Sequence, residues 1–162
     1  MHGDLDRPYQ GAFLGRTHHF ALRAYFEDTD VSGVVYHANY LKYMERARSD
    51  MLRAAGIDQR AAIESGEGVY VVADLEIRYR ASAKLDDDLL VLSEVMEVRA
   101  ASCTIQQRVM RGTDVLSEAR VTAAFVADGR PKRRCPRNRP GARTDGCGPG
   151  RRPDMAGRGL RS

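Results

Sequence analysis

Cysteine, proline and long apolar runs are scarce in this chain, and each scarcity excludes something. Its 162 residues hold three cysteines, Cys103, Cys135 and Cys147. They have neither a metal-ligand spacing nor the density of a disulfide scaffold, which points to a reducing compartment and away from zinc. No apolar run approaches the ~18 residues of a membrane span. The opening MHGDLDRPYQGAFLGRTHHF lacks the charged-then-apolar order of a signal peptide. A cytoplasmic protein without membrane insertion is expected, and the length suits one domain with its own core.

A basic body is missing as well, although the net charge is +4. Of the 26 Lys and Arg, 11 lie in residues 130–162, with 2 of the 22 Asp and Glu, so that segment carries +9 and residues 1–129 carry −5. The segment, RPKRRCPRNRPGARTDGCGPGRRPDMAGRGLRS, holds five of the six prolines, six of the fifteen glycines, and no Val, Ile, Phe or Tyr. It buries too little apolar area to offset the entropy of ordering and reads as a disordered tail. Two alternatives stay open. One is a polybasic arm for nucleic acid or an anionic membrane surface, although no aromatic is interleaved for base stacking. The other is a shift of the coding frame near Pro131, where composition changes abruptly. The acidic body argues against nucleic acid as a partner. The division is an N-terminal extension (1–17), a domain (18–129) and the basic tail (130–162).

Within the body, HHFALRAYF alternates as a strand, and residues 27–38 break the pattern as a loop with Gly33 at its centre. From about Asn39 the period changes. Tyr40, Met44, Ala47, Met51 and Ala55 fall on one helical face, Lys42, Glu45, Arg46, Ser49 and Arg53 on the other, and Gly56 reads as the C-cap. A short helix is expected in DQRAAIES, opened by Asp58. From Val69 the period is two: Val69, Val71, Ala73, Leu75, Ile77 and Tyr79 alternate with their neighbours in a long, half-buried strand. Three more strands follow at 89–99, 103–111 and 115–126, joined by short hairpin-like links. So connected, the sheet is antiparallel, since a parallel pair needs a crossover of a dozen or more residues. The helix covers its concave face in an α+β layer, and the exposed strand edges suggest dimers.

The stretch YFEDTDVSGVVYHANYLKYMERAR sets Asp28 and Asp30 shortly before the main helix. If the loop folds back, a carboxylate shares a small volume with the free N–H groups near residues 37–39 and the positive end of the helix dipole. A carboxylate can attack a carbonyl or activate water, and those N–H groups can hold an oxyanion. The same residues equally suit plain helix capping, with His37 an ordinary first-turn polar residue. Glu45, Arg78, Arg80 and Lys84 read as solvated, although Arg78, Arg80 or Lys84 could meet a phosphate, His18 and His19 as an exposed strand start, and Cys103 as a small core residue.

The same stretch resembles the signature of the 4-hydroxybenzoyl-CoA thioesterase-like hotdog family, particularly its Tol-Pal-associated, YbgC-like acyl-CoA thioesterase branch. The D-x-D pair, the following glycine, VVYHANY and ERAR all match, and IRYRASAKLDDDLLV resembles the branch's next strand and turn, so the likeness spans about Phe20 to Asp128. It implies a hotdog fold, an antiparallel sheet wrapped around one long central helix, and homodimers or homotetramers with sites between subunits. It implies hydrolysis of an acyl-CoA, with Asp30 as catalytic nucleophile or general base and His37 contributing a carbonyl-polarising backbone N–H and its imidazole. Tyr25, Gly33 and Tyr36 would contact substrate; no metal or other cofactor is implied. The alternative is a non-catalytic hotdog protein that binds acyl-CoA, an acyl carrier protein or an envelope-biogenesis partner. The Arg/Pro/Gly-rich ending departs from the family and puts in doubt any contact the usual C-terminus makes.

Overall fold

The computed structural model describes residues 7–131. The disorder expected of the tail concerns mainly residues 132–162, outside that range. Strands β1 (Ala12–Leu14) and β2 (Thr17–Arg23) form a hairpin. A 3-10 turn (Phe26–Asp28) and a loop lead to helix α1 (His37–Ala54), followed by the short α2 (Gln59–Glu64). Strands β3 (Val69–Tyr79), β4 (Asp88–Val98), β5 (Ser102–Arg111), β6 (Asp114–Ala127) and β7 (Arg130–Pro131) complete the chain. All pair antiparallel in one sheet of order β1-β2-β4-β5-β6-β3, with β7 also on β6. This is the expected α+β arrangement of a sheet around one long helix. Among the described residues, no helix is long and apolar enough to cross a membrane.

Helix α1 starts two residues earlier than periodicity suggests and ends at the expected glycine, Gly56, whose φ of 77° is left-handed. Its buried face is wider than the expected stripe. Tyr40, Tyr43, Met44, Ala47 and Met51 are buried, together with the polar Asn39 and Asp50, while Ala55 is exposed beyond the last turn. Tyr40, Tyr43, Met44 and Ala47 share one core cluster with Leu89 and Val91 from β4, Val109 from β5, and Leu116, Ala119 and Val121 from β6. Burying one such side chain is worth about 1.5–3 kcal/mol, so this contact dominates the core. Asp58 caps α2 as expected, its Oδ1 accepting from the Ala61 N–H at 3.0 Å.

Two details differ from the pattern reading. In β3 the alternation holds only from Asp74 onward. The register shifts between Val72 and Asp74, and Val71 and Val72 are both exposed, because a bulge adds a residue and rotates the remainder of the strand by one face. His18, taken for an exposed strand start, is fully buried: its Nε2 lies 3.0 Å from Asp50 Oδ2. That carboxylate also accepts the Gly11 N–H at 2.8 Å, so β1 and the chain before it are drawn onto α1.

The link between β3 and β4 positions the site. β3 pairs only with β6, so residues 80–87 must pass the ends of β6 and β5 to reach β4. They are fastened on the way. The Arg80 and Ala81 N–H groups donate to the Leu116 carbonyl, the Ala83 N–H donates to Tyr40 Oη at 2.8 Å, and Arg111 reaches both the Ser82 carbonyl and Asp87. The Val35 N–H donates to the Ala83 carbonyl at 2.8 Å, which ties the link to the loop before α1.

Candidate functional site

The loop between the 3-10 turn and α1 is held from below by Asp28 and Asn39. Asp28 is buried. Its Oδ2 accepts the Tyr25 N–H at 2.8 Å, and its carbonyl accepts the Tyr36 N–H and the Asn39 amide, each at 2.9 Å. Burial, and then the Asp28 carboxylate beside it, push the pKa of the Tyr43 hydroxyl up. The first aspartate of the D-x-D pair is thus a structural anchor.

Asp30 has a different environment: it is exposed at the start of a tight turn, in which the Gly33 N–H donates to the Asp30 carbonyl at 2.9 Å. Gly33 has φ of 77°, which makes this turn cheap for glycine and strained for other residues. Asp30 Oδ1 accepts from the Ser32 N–H at 2.8 Å and from the Ser32 hydroxyl. These two bonds, with a smaller contribution from His37 nearby, hold the Asp30 carboxyl below its usual range. No described residue bonds Oδ2, so an ionised oxygen faces solvent.

His37 is the first residue of α1 and is exposed. Tyr36, the N-cap, makes no side-chain cap, and no described residue accepts from the N–H of His37 or Ala38. Two backbone donors at the positive end of an 18-residue helix are therefore open to a ligand. Beside them is a cleft of about 230 Å³ lined by Val35, His37, Tyr40, Tyr79 and residues 80–82. Its walls are mixed: Val35, Ala81 and the rings of Tyr40 and Tyr79 on one hand, His37, Arg80 and Ser82 on the other.

Of the residues expected from sequence to act on or contact substrate, Asp30 and His37 come within electrostatic reach of each other, and His37 alone lines the cleft; Arg80, read as solvated, lines it too. Gly33 shapes the turn. The exposed Tyr36 ring lies 4.4 Å from that of His37, and Tyr25 is exposed at the start of the 3-10 turn. Sequence reasoning missed Ser32, Asn39, Tyr40 and Tyr79. Ser32 had a signal, since serine two residues after aspartate suits a local side-chain turn. Tyr79 and Tyr40 had none, because their partners lie some forty residues away. Among the described residues, no three or more His, Cys, Asp or Glu gather where they could hold a metal ion.

Comparison with known proteins bears on family and fold. Residues 32–118 match the model of the thioesterase superfamily. Over 113 residues the chain is 47% identical to the acyl-CoA thioesterase YbgC of Haemophilus influenzae, covering 70% of this chain and 83% of that one. It is 39% identical over 106 residues to the acyl-CoA thioester hydrolase YbgC of Escherichia coli, covering 65% and 78%. Among solved structures, a probable thioesterase from Bartonella henselae superposes with a TM-score of 0.70 at 33% identity, covering 74% of this chain and 99% of that one.

Proposed function

The chain belongs to the thioesterase superfamily of hotdog domains, and from that premise we propose that it hydrolyses an acyl-CoA to the free acid and CoA. The observation that carries the reading is the occurrence of a solvent-facing Asp30 carboxylate near two unpartnered helix N-terminal N–H groups beside a cleft partly walled by tyrosine rings. In this reading the thioester carbonyl oxygen takes the N–H groups of His37 and Ala38, which stabilise the negative charge it develops. Asp30 attacks the carbonyl carbon or takes a proton from the attacking water, and its lowered pKa keeps it ionised at neutral pH. The thiolate of CoA leaves and is protonated from solvent; where Asp30 is the nucleophile, water then hydrolyses the mixed anhydride it has formed, which releases the acid and restores the carboxylate. The His37 imidazole, exposed beside Asp30, adds a hydrogen bond, while Tyr25, Gly33 and Tyr36 flank the substrate's approach.

The active form is at least a dimer. Strand β3 is an edge, Val71 and Val72 are 40% and 49% exposed, and the Asp30 loop is open to solvent within one chain. A second copy would cover the edge and wall the site. Light scattering should give twice the chain mass or a multiple of it, and a fully active monomer would refute an interfacial site. Thiol release from a panel of short, long and aromatic acyl-CoAs tests the activity. Asp30→Asn should lower turnover by at least ~10² with the melting temperature unchanged. No hydrolysis above that variant on any substrate would sink the reading.

A further inference from the structure

We propose that Tyr79 is a positioning residue for the first turn of α1: its hydroxyl polarises the peptide joining His37 to Ala38 and makes the Ala38 N–H a stronger donor. The kinetic consequence rests on the thioesterase reading; the polarisation rests on geometry alone. Tyr79 ends β3, and its hydroxyl donates to the His37 carbonyl oxygen at 3.0 Å. That carbonyl and the Ala38 N–H are the two ends of one planar peptide unit. Drawing electron density toward the oxygen leaves the N–H more positive, and hydrogen bonds in series strengthen one another by about 10–30%. A carbonyl oxygen has two lone pairs, so the tyrosine adds to the helix's own bond and displaces nothing.

The preceding peptide is built the same way. The Tyr36 carbonyl accepts the Asn39 N–H at 2.9 Å, and the far end of that peptide is the His37 N–H. Each of the two N–H groups without an acceptor therefore has a hydrogen bond loaded on the carbonyl of its own peptide. In the first case the donor is backbone; in the second it is a side chain brought from the end of β3. The Tyr79 ring is held for the purpose, lying edge-on to Tyr40 at 5.7 Å and to His37 at 6.1 Å between ring centres. The residue is 44% exposed, and its partial burial raises the pKa of the hydroxyl, which remains a donor across the working pH range. The ring also walls the cleft, so one side chain shapes the acyl pocket and tunes the donor beside it.

Tyr79→Phe in the full-length protein separates these roles, because it keeps the ring and removes only the donor. Two readouts apply: the Ala38 amide ¹⁵N resonance of labelled protein, and steady-state kinetics on whichever acyl-CoA the panel identifies. The Ala38 nitrogen should move upfield. The kcat should fall about two- to tenfold, the span of one ordinary net hydrogen bond, with KM within twofold of the parent. An unmoved Ala38 resonance overturns the proposal. So does a loss that falls on KM while kcat holds, which would make the hydroxyl a substrate contact. If the parent hydrolyses no acyl-CoA, the thioesterase reading fails by itself and the Ala38 resonance still decides the polarisation.

Discussion

Mild acid should destabilise this protein through one buried residue, His18. Its ring is fully buried in β2, with Nε2 bonded to Asp50 Oδ2, Phe13 edge-on at 5.2 Å, and Nδ1 without a partner. The groups facing it are the Asp50 carboxylate, shared with the Gly11 N–H and Arg53, and the neighbouring His19. Burial lowers the His18 pKa and outweighs the hydrogen bond and charge of Asp50, which raise it. Protonation would add a second buried N–H with nothing to accept it. Because the folded pKa is below the unfolded value of 6.5, the unfolded chain takes the proton first, and stability falls as pH drops below 6.5. One proton sets a ceiling of about 1.4 kcal/mol per pH unit, or about 2 kcal/mol between pH 6.5 and 5. Urea unfolding at pH 7, 6 and 5 measures the slope. His18→Leu should cost about 1–3 kcal/mol at pH 7, since it leaves the buried Asp50 short of a donor, yet flatten the slope. Parallel pH dependence in parent and variant, or a His18 that titrates at or above 6.5 by NMR, would refute the reasoning.

Ser32→Ala removes the hydroxyl bond, the larger of the two that hold the Asp30 pKa down, and keeps the bond from the residue 32 backbone N–H. The acid limb of the pH–rate profile should therefore move to higher pH, with the plateau rate reduced far less than by Asp30→Asn. An unmoved limb would separate Asp30 from the observed titration. Asp28→Ala should behave in the opposite sense to Asp30→Asn: it leaves the Tyr25 N–H without its partner and should cost about 1–3 kcal/mol in denaturant unfolding. Its effect on turnover should stay below that of Asp30→Asn, and the reverse order would exchange the roles of the two aspartates.

What could be read from the sequence divides by how far apart the interacting residues are. The α1 stripe and the hairpins of β4, β5 and β6 show in the pattern because burial repeats at the period of each element. The acidic loop was legible for a related reason: Asp28, Asp30, Ser32, Gly33 and the start of α1 contact one another within about a dozen positions. The rest depends on pairs that no spacing announces. Asp50 falls on the inner face of α1 where the period calls for an apolar residue, and besides the nearby Arg53 it is His18, 32 positions earlier, and Gly11, 39 positions earlier, that make it tolerable there. Gly11 is tied to the same arrangement, since a Cβ there would lie 2.3 Å from the His19 carbonyl and 2.9 Å from Asp50 Oδ2. Tyr79 looks from sequence like one more inward residue of a period-two strand. Its reach to the His37 carbonyl, 42 positions away, exists only because β3 pairs with β6 and leaves its end beside the helix N-terminus. The site thus joins a local half, the loop that presents Asp30, to a non-local half, the strand end that walls the cleft. Substitutions in the first should act on ionisation of the carboxylate and those in the second on the donors near it, so double variants across the two halves should depart from additivity by the coupling between Asp30 and the helix start.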